Sequence, residues 1–224
     1  MYVGVGYQLD NHWNVKEIDP TTITDFEKYG FNNSSRSSGL SVNFLFDNRR
    51  NSINPEGGFY SNVVLRQNMK WIGSDANWTG ALIDIRKYIS LSPTSKNMIA
   101  LWSYNWLTLS GNPPYLDLPS NGWDTYSNTG RGYAQSRFRS KNFIDFEAEY
   151  RFGILSNGLL GGVVFGNLQA YSEVPSNSFQ TIQPGYGAGL RVKFNKFSRT
   201  NICIDYGFGK NGSSGLFLNL GEVF

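Results

Sequence analysis

The residue types that carry most enzyme chemistry are scarce in this chain. Its 224 residues include one histidine, His12, and one cysteine, Cys203. A lone cysteine excludes an internal disulfide framework and a cysteine-based zinc site. A single histidine excludes a His-rich metal centre. A hydrolase would need a histidine near a carboxylate or a serine in space; His12 is its one candidate, and no nucleophile-elbow sequence lies beside it. Cys203 alternates with Asp205 and reads as a small strand residue. Gly207-Phe208-Gly209-Lys210-Asn211-Gly212 fits G-x-G-x-x-G, but another strand pattern follows it, not a helix, so no nucleotide cradle forms. Glu147 and Glu149 lie two apart on one face, as a glycosidase pair could, yet Arg151 on the same face points to ion pairing. The reading is non-enzymatic, with no cofactor and no metal.

One arginine stands out instead. Arg131 lies in Gly130-Arg131-Gly132-Tyr133, inside the long connection Ser110–Lys141. Structureless connections of that length are usually functional or disordered. Two flanking glycines let the backbone turn tightly around a single guanidinium. A surface-exposed turn arginine is the alternative.

The elements that must position these residues are strands. Charged residues make up 17%, apolar 40% and aromatic 16%, with 25 glycines, which excludes a disordered chain. The net charge of +3 is too small to argue for nucleic acid. Apolar runs never reach the length of a membrane helix. Period-two alternation recurs throughout. Ile144, Phe146, Ala148, Tyr150 and Phe152 share one face, with Asp145, Glu147, Glu149 and Arg151 on the other. Strands are expected at about 1–9, 39–47, 58–69, 78–91, 98–109, 142–154, 159–171, 185–194, 201–209 and 215–224. Short turns (48–57, 93–97, 156–158, 198–200) alternate with longer connections (10–38, 70–77, 110–141, 172–184), the asymmetry of outer-membrane barrels. The first residues lack the basic and apolar regions of a signal peptide and read as a strand already under way.

Alternation alone does not say which face points outward, and a soluble β-sandwich or lipocalin-like barrel shows it too. Three features favour the membrane: charges alternate singly with large apolar residues, the last strand ends in an aromatic, and aromatics cluster at strand ends. Trp71, Trp78, Trp102, Trp106, Tyr150 and Phe152 are read as interface girdles. With the polar face inward, Asp84, Arg86, Asp145, Glu147, Glu149, Arg151, Arg191, Lys193 and Asp205 line a lumen. Lys87 and Glu222 then fall on the apolar face near strand ends, where snorkelling reduces the cost.

Three stretches together resemble the BamA/TamA-type outer-membrane assembly factors, the bacterial surface antigen family. They are Asp47-Asn48-Arg49-Arg50-Asn51-Ser52-Ile53-Asn54-Pro55-Glu56-Gly57-Gly58-Phe59-Tyr60, the Gly130–Tyr133 loop motif, and the C-terminus from Gly187 through Asp205–Gly209 to Phe224. The resemblance implies an all-β antiparallel transmembrane barrel in a Gram-negative outer membrane. Residues 1–224 would be one barrel domain of about ten strands, the C-terminal part of a sixteen-stranded barrel, and alone would not close. It implies that Arg131 folds into the lumen to meet acidic partners, with Glu147 and Glu149 the candidates. Asn167 stands where a second acidic partner is expected on the next strand, leaving the arginine one charge fewer. The last strand, with Leu216, Leu218, Leu220, Gly221 and Phe224, resembles the C-terminal insertion signal and a weak seam with the first strand. The implied role is insertion or translocation of proteins or lipids. Implied partners are outer-membrane lipids, lipopolysaccharide and unfolded outer-membrane clients, and no nucleic acid. A passive pore, and an outer-membrane hydrolase relying on His12, remain the alternatives.

Overall fold

The computed structural model describes residues 1–16, 29–30, 32–92 and 97–224. Ten strands follow in order: β1 (Tyr2–His12), β2 (Ser35–Asp47), β3 (Gly58–Asn68), β4 (Trp78–Ser90), β5 (Met98–Gly111), β6 (Asn142–Gly153), β7 (Leu160–Glu173), β8 (Ser178–Lys193), β9 (Asn201–Gly209) and β10 (Ser214–Leu220). Each pairs with the next in a single sheet ordered β1 to β10, and every pairing is antiparallel, as in β5–β6. Among the described residues β1 and β10 are the two edges and are not bonded to each other.

The alternation sorts chemistry between two solvents. On β6, Asp145, Glu147 and Glu149 are 0%, 0% and 1% exposed, whereas Phe146 and Tyr150 are 45% and 38% exposed. On β9, Asp205 and Cys203 are buried while Ile202, Ile204, Tyr206 and Phe208 face out. Leu216, Leu218 and Leu220 continue that apolar surface on β10. Water would select the reverse arrangement. An outward apolar band around a polar interior is what a barrel wall in lipid requires. No helix among the described residues is long and apolar enough to cross a membrane; the strands form the wall.

The concave side is partly covered. The β5–β6 connection, residues 112–141, folds back against the sheet, and so do residues 221–224. Tyr88, Met98, Ala100, Trp102, Tyr104, Phe143 and Tyr171 of the strands pack there with Val223 and Phe224.

Several expectations need correction. Trp78 and Trp102 are 4% and 1% exposed and sit inside with Trp106, not in a girdle. The register explains this, because Trp102 lies opposite Glu147 and Arg86, both inward residues. The connection expected at 172–184 is mostly strand: β7 runs to Glu173 and β8 starts at Ser178. Pro184 sits within β8 without breaking it, because β9 pairs with β8 only from Gly185 onward and an overhanging edge tolerates proline. The last strand stops at Leu220. Gly221, at φ +101°, turns the chain inward, so Phe224 is 3% exposed within the lumen. Glu222 is accordingly buried inside rather than on the apolar face, because the turn resets the strand parity. Part of the expected 10–38 connection and most of the 93–97 turn lie outside the described residues.

Candidate functional site: a buried arginine and its carboxylates

Strands β6 to β9 project their polar side chains toward one point, and the β5–β6 connection delivers Arg131 to it. The delivery is built locally. Asp124 Oδ1 accepts from the backbone N–H of Asn128 at 2.9 Å and of Thr129 at 2.7 Å, and from the Thr129 hydroxyl. The Asn121 side chain donates to Ala134 O at 2.8 Å and accepts from Phe138 N at 2.9 Å. Gly130 and Gly132, at φ +77° and +107°, allow the sharp descent between them.

Arg131 is wholly buried. Its Nη1 donates to Asp205 Oδ2 at 2.5 Å, and its Nη2 donates to both Glu147 Oε1 and Glu149 Oε1. The guanidinium carbon lies 3.7 Å from the centre of the Phe165 ring. Asn167 donates to the Arg131 carbonyl at 2.8 Å, so its contact is with backbone, not with the charge. The arginine is therefore not short of a charge, because Asp205 on β9 supplies a third carboxylate. The alternation places Asp205 inward, but no sequence pattern links it to Arg131.

The cluster extends sideways. Arg151 Nε donates to Glu149 Oε2 at 2.6 Å. Arg191 Nη1 donates to Asp205 Oδ1 at 2.5 Å and its Nε to Glu222 Oε2 at 2.8 Å. Three guanidiniums and four carboxylates thus share one water-poor volume. Such pairs offset their desolvation only with near-ideal geometry and further hydrogen bonds. Charge-assisted bonds supply part of this, while Arg131 Nε, Glu147 Oε2 and Arg151 Nη1 are buried without a hydrogen-bond partner among the described residues.

A row of glycines cradles the loop. A Cβ at Gly132 would stand 2.6 Å from Phe208 O, one at Gly207 2.7 Å from Gly132 N, and one at Gly185 2.6 Å from Arg131 O. Sequence reasoning missed this cradle. The signal was present as glycines at alternate positions on the polar faces of β8 and β9. Tyr133 then locks the loop, donating to Pro184 O at 2.6 Å and accepting from Lys210 N at 2.7 Å.

The inturned tail closes the far side. Arg151 Nη2 donates to Phe224 O at 3.1 Å, and Asn128 Nδ2 to Val223 O at 2.8 Å. The Phe224 ring stacks on Trp102 with centroids 5.0 Å apart.

His12 lies far from this cluster. It meets Asp117 at 3.3 Å, and the Ser37 hydroxyl donates to the other oxygen of that carboxylate at 2.5 Å. Burial pushes the Asp117 carboxyl up from its ordinary range, against the hydrogen bonds from Ser37 and His12. The carboxylate stands between serine and histidine, so His12 does not reach the hydroxyl and the three do not form the Ser-His-carboxylate order of a hydrolase triad. Among the described residues no group of three or more His, Cys, Asp or Glu could hold a metal ion.

An apolar-out, charge-in sheet with a loop locked into its lumen is the wall of a bacterial outer-membrane β-barrel. Residues 3–223 match the Omp85 superfamily domain, and the chain belongs to that superfamily. Its fold is similar to the crystal structure of BamA from Haemophilus ducreyi lacking POTRA domains 1–3, with a TM-score of 0.70 and 15% identity. The alignment covers 97% of this chain and 49% of that one, so the chain spans about half the length of the structure it matches. No curated protein matches the chain.

Proposed function

We propose that this chain helps insert or translocate proteins, or lipids, at the outer membrane through a seam at its β10 edge. The observation that carries this reading is how β10 ends. It has only seven residues, and the chain leaves the sheet at Gly221 to be held by lumenal side chains instead of by a neighbouring strand. A short edge strand offers few backbone bonds to break, so a partner strand can add there by edge pairing. Leu216, Leu218 and Leu220 face lipid beside that edge and would serve as the insertion signal for this barrel itself. Gly130–Tyr133, gripped by Glu147, Glu149, Asp205 and Asn167, would keep the wall rigid while the seam opens. The ten strands form one continuous sheet, which supports reading residues 1–224 as a single barrel-wall domain within a larger closed barrel. Outer-membrane phospholipid, lipopolysaccharide and unfolded outer-membrane proteins are the partners this role needs.

The test is assisted folding. The full chain in liposomes should speed the protease-resistant folding of a urea-unfolded barrel client above protein-free liposomes, and Arg131→Ala should abolish the gain. A passive pore needs an open lumen, and residues 112–141 and 221–224 cover the concave face of β6 to β9. Steady conductance in planar bilayers without any folding gain would favour the pore and defeat the assembly role.

A further inference from the structure

The opposite half of the concave side holds a separate cavity of about 310 Å³. Its walls come from inward residues of β1, β3, β4 and β5 and from the β5–β6 connection. Trp78, Trp106 and Trp123 line it, together with Gln8, Arg66 and Asp117. At the liquid volume of roughly 30 Å³ per water, it would hold about ten waters.

The charges in this cavity are already spent. Arg66 donates to Asp10 at 2.5 Å and to Asn68 at 2.9 Å, and lies over the Trp78 ring at 5.4 Å. Asp117 is occupied by Ser37 and His12. The guanidinium is fully engaged and so is the buried carboxylate of Asp117; Asp10, at 43% side-chain exposure, is paired with Arg66. What remains is neutral: the Gln8 amide and the Trp106 indole N–H make no hydrogen bond among the described residues, and the Trp106 and Trp123 side chains line the space. Indole faces beside neutral donors and acceptors suit a ligand with one apolar face and a rim of hydroxyls. A pyranose has that shape, with C–H groups on its faces and hydroxyls around its edge. The cavity lies at the end of the sheet that carries the long connections, which in outer-membrane barrels faces outward.

We propose that this cavity is a binding site for a neutral saccharide of one or two pyranose rings, stacked on Trp106 and hydrogen-bonded by Gln8. It is independent of the assembly role and of the Arg131 cluster. The test uses the full chain folded in an amine-oxide detergent, which carries no sugar headgroup. Glucose, N-acetylglucosamine and maltose are titrated while tryptophan fluorescence and saturation-transfer NMR of the sugar are followed. At least one should saturate with a Kd of about 1 mM, and a maltoside detergent should compete. Trp106→Phe should weaken binding about tenfold or more and Gln8→Leu severalfold, whereas Trp71→Phe, at an exposed position outside the cavity, should leave it unchanged. Strand content by circular dichroism checks that each variant folds; if Trp106→Phe does not, Gln8→Leu carries the test. Absence of saturation by all three sugars at tens of millimolar overturns the proposal. So does saturation by choline that Asp117→Asn removes, which would mark a cation site.

Discussion

The two halves of the concave surface handle polar side chains in opposite ways. On β6 to β9 the inward residues face a second layer of protein, and Arg131, Glu147 and Asp205 have wholly buried side chains. On β1 to β3 they face a cavity and an edge. There the Arg66–Asp10 pair keeps side-chain exposures of 15% and 43%, and β1 has no buried residue at all. Both halves obey the same alternation. The difference is the loop, because only where residues 130–133 and the tail cover the sheet does an ion pair lose its water. A covered pair is costly to break, since its survivors stay desolvated, while an open pair is screened and replaced by water. Stability should therefore be concentrated in the C-terminal half, and substitutions on the two sides should differ accordingly.

The largest contrast is expected at Arg131. Arg131→Ala leaves three carboxylates without their shared counter-charge and should cost about 3–5 kcal/mol, read as a lowered urea midpoint. It should also expose the β5–β6 connection to trypsin. Reversing charges at Arg131 and Glu149 together should recover part of that loss, and simple additivity of the single variants would argue against their coupling. Phe224→Ala should come next. It removes a ring stacked on Trp102 and should cost about 3 kcal/mol, the low end for burying and then deleting a phenyl group. Its signature is a change in the near-ultraviolet signal of Trp102. Gly132→Ala should follow at roughly 1–3 kcal/mol, because the added methyl meets Phe208 O at 2.6 Å with φ at +107°. Loop release without any loss of strand content would be its mark; an unchanged loop would mean the glycine cradle is not what seats Arg131.

The sequence revealed the wall far better than what fills it, for a physical reason. Lipid outside and charge inside impose a period of two on every strand, so the ten strands could be placed from alternation alone. Contacts across the lumen leave no such period. Asp205 and Arg131 are 74 positions apart, and nothing local links them. The tryptophans misled because an indole suits both a lipid interface and a packed interior. Trp102 could have been placed correctly only by pairing its strand with Glu147 opposite. Glu222 was misplaced by extending the parity of β10 through Gly221, where a left-handed turn ends that parity. The hydroxyl of Ser37 and the ring of His12 were brought to one carboxylate by a loop whose path no pattern encodes.

The smallest expected effect completes the contrast. Arg66 and Asp10 are as close as the pairs around Arg131, at 2.5 Å, so distance alone would rank them equal. Their exposure separates them. Asp10 remains partly in solvent, so removing Arg66 lets water take over its oxygens, and an exposed pair contributes about 0–1 kcal/mol. Arg66→Ala should thus lower the urea midpoint only slightly. That small loss should shrink further between low and high salt, since the Debye length falls to about 3 Å at 1 M. The Arg131→Ala loss should hardly move over the same range, because ions do not reach a wholly buried cluster. Equal salt sensitivity at the two sites would mean that the loop does not seal its half of the lumen, and the division drawn between covered and open halves would be wrong.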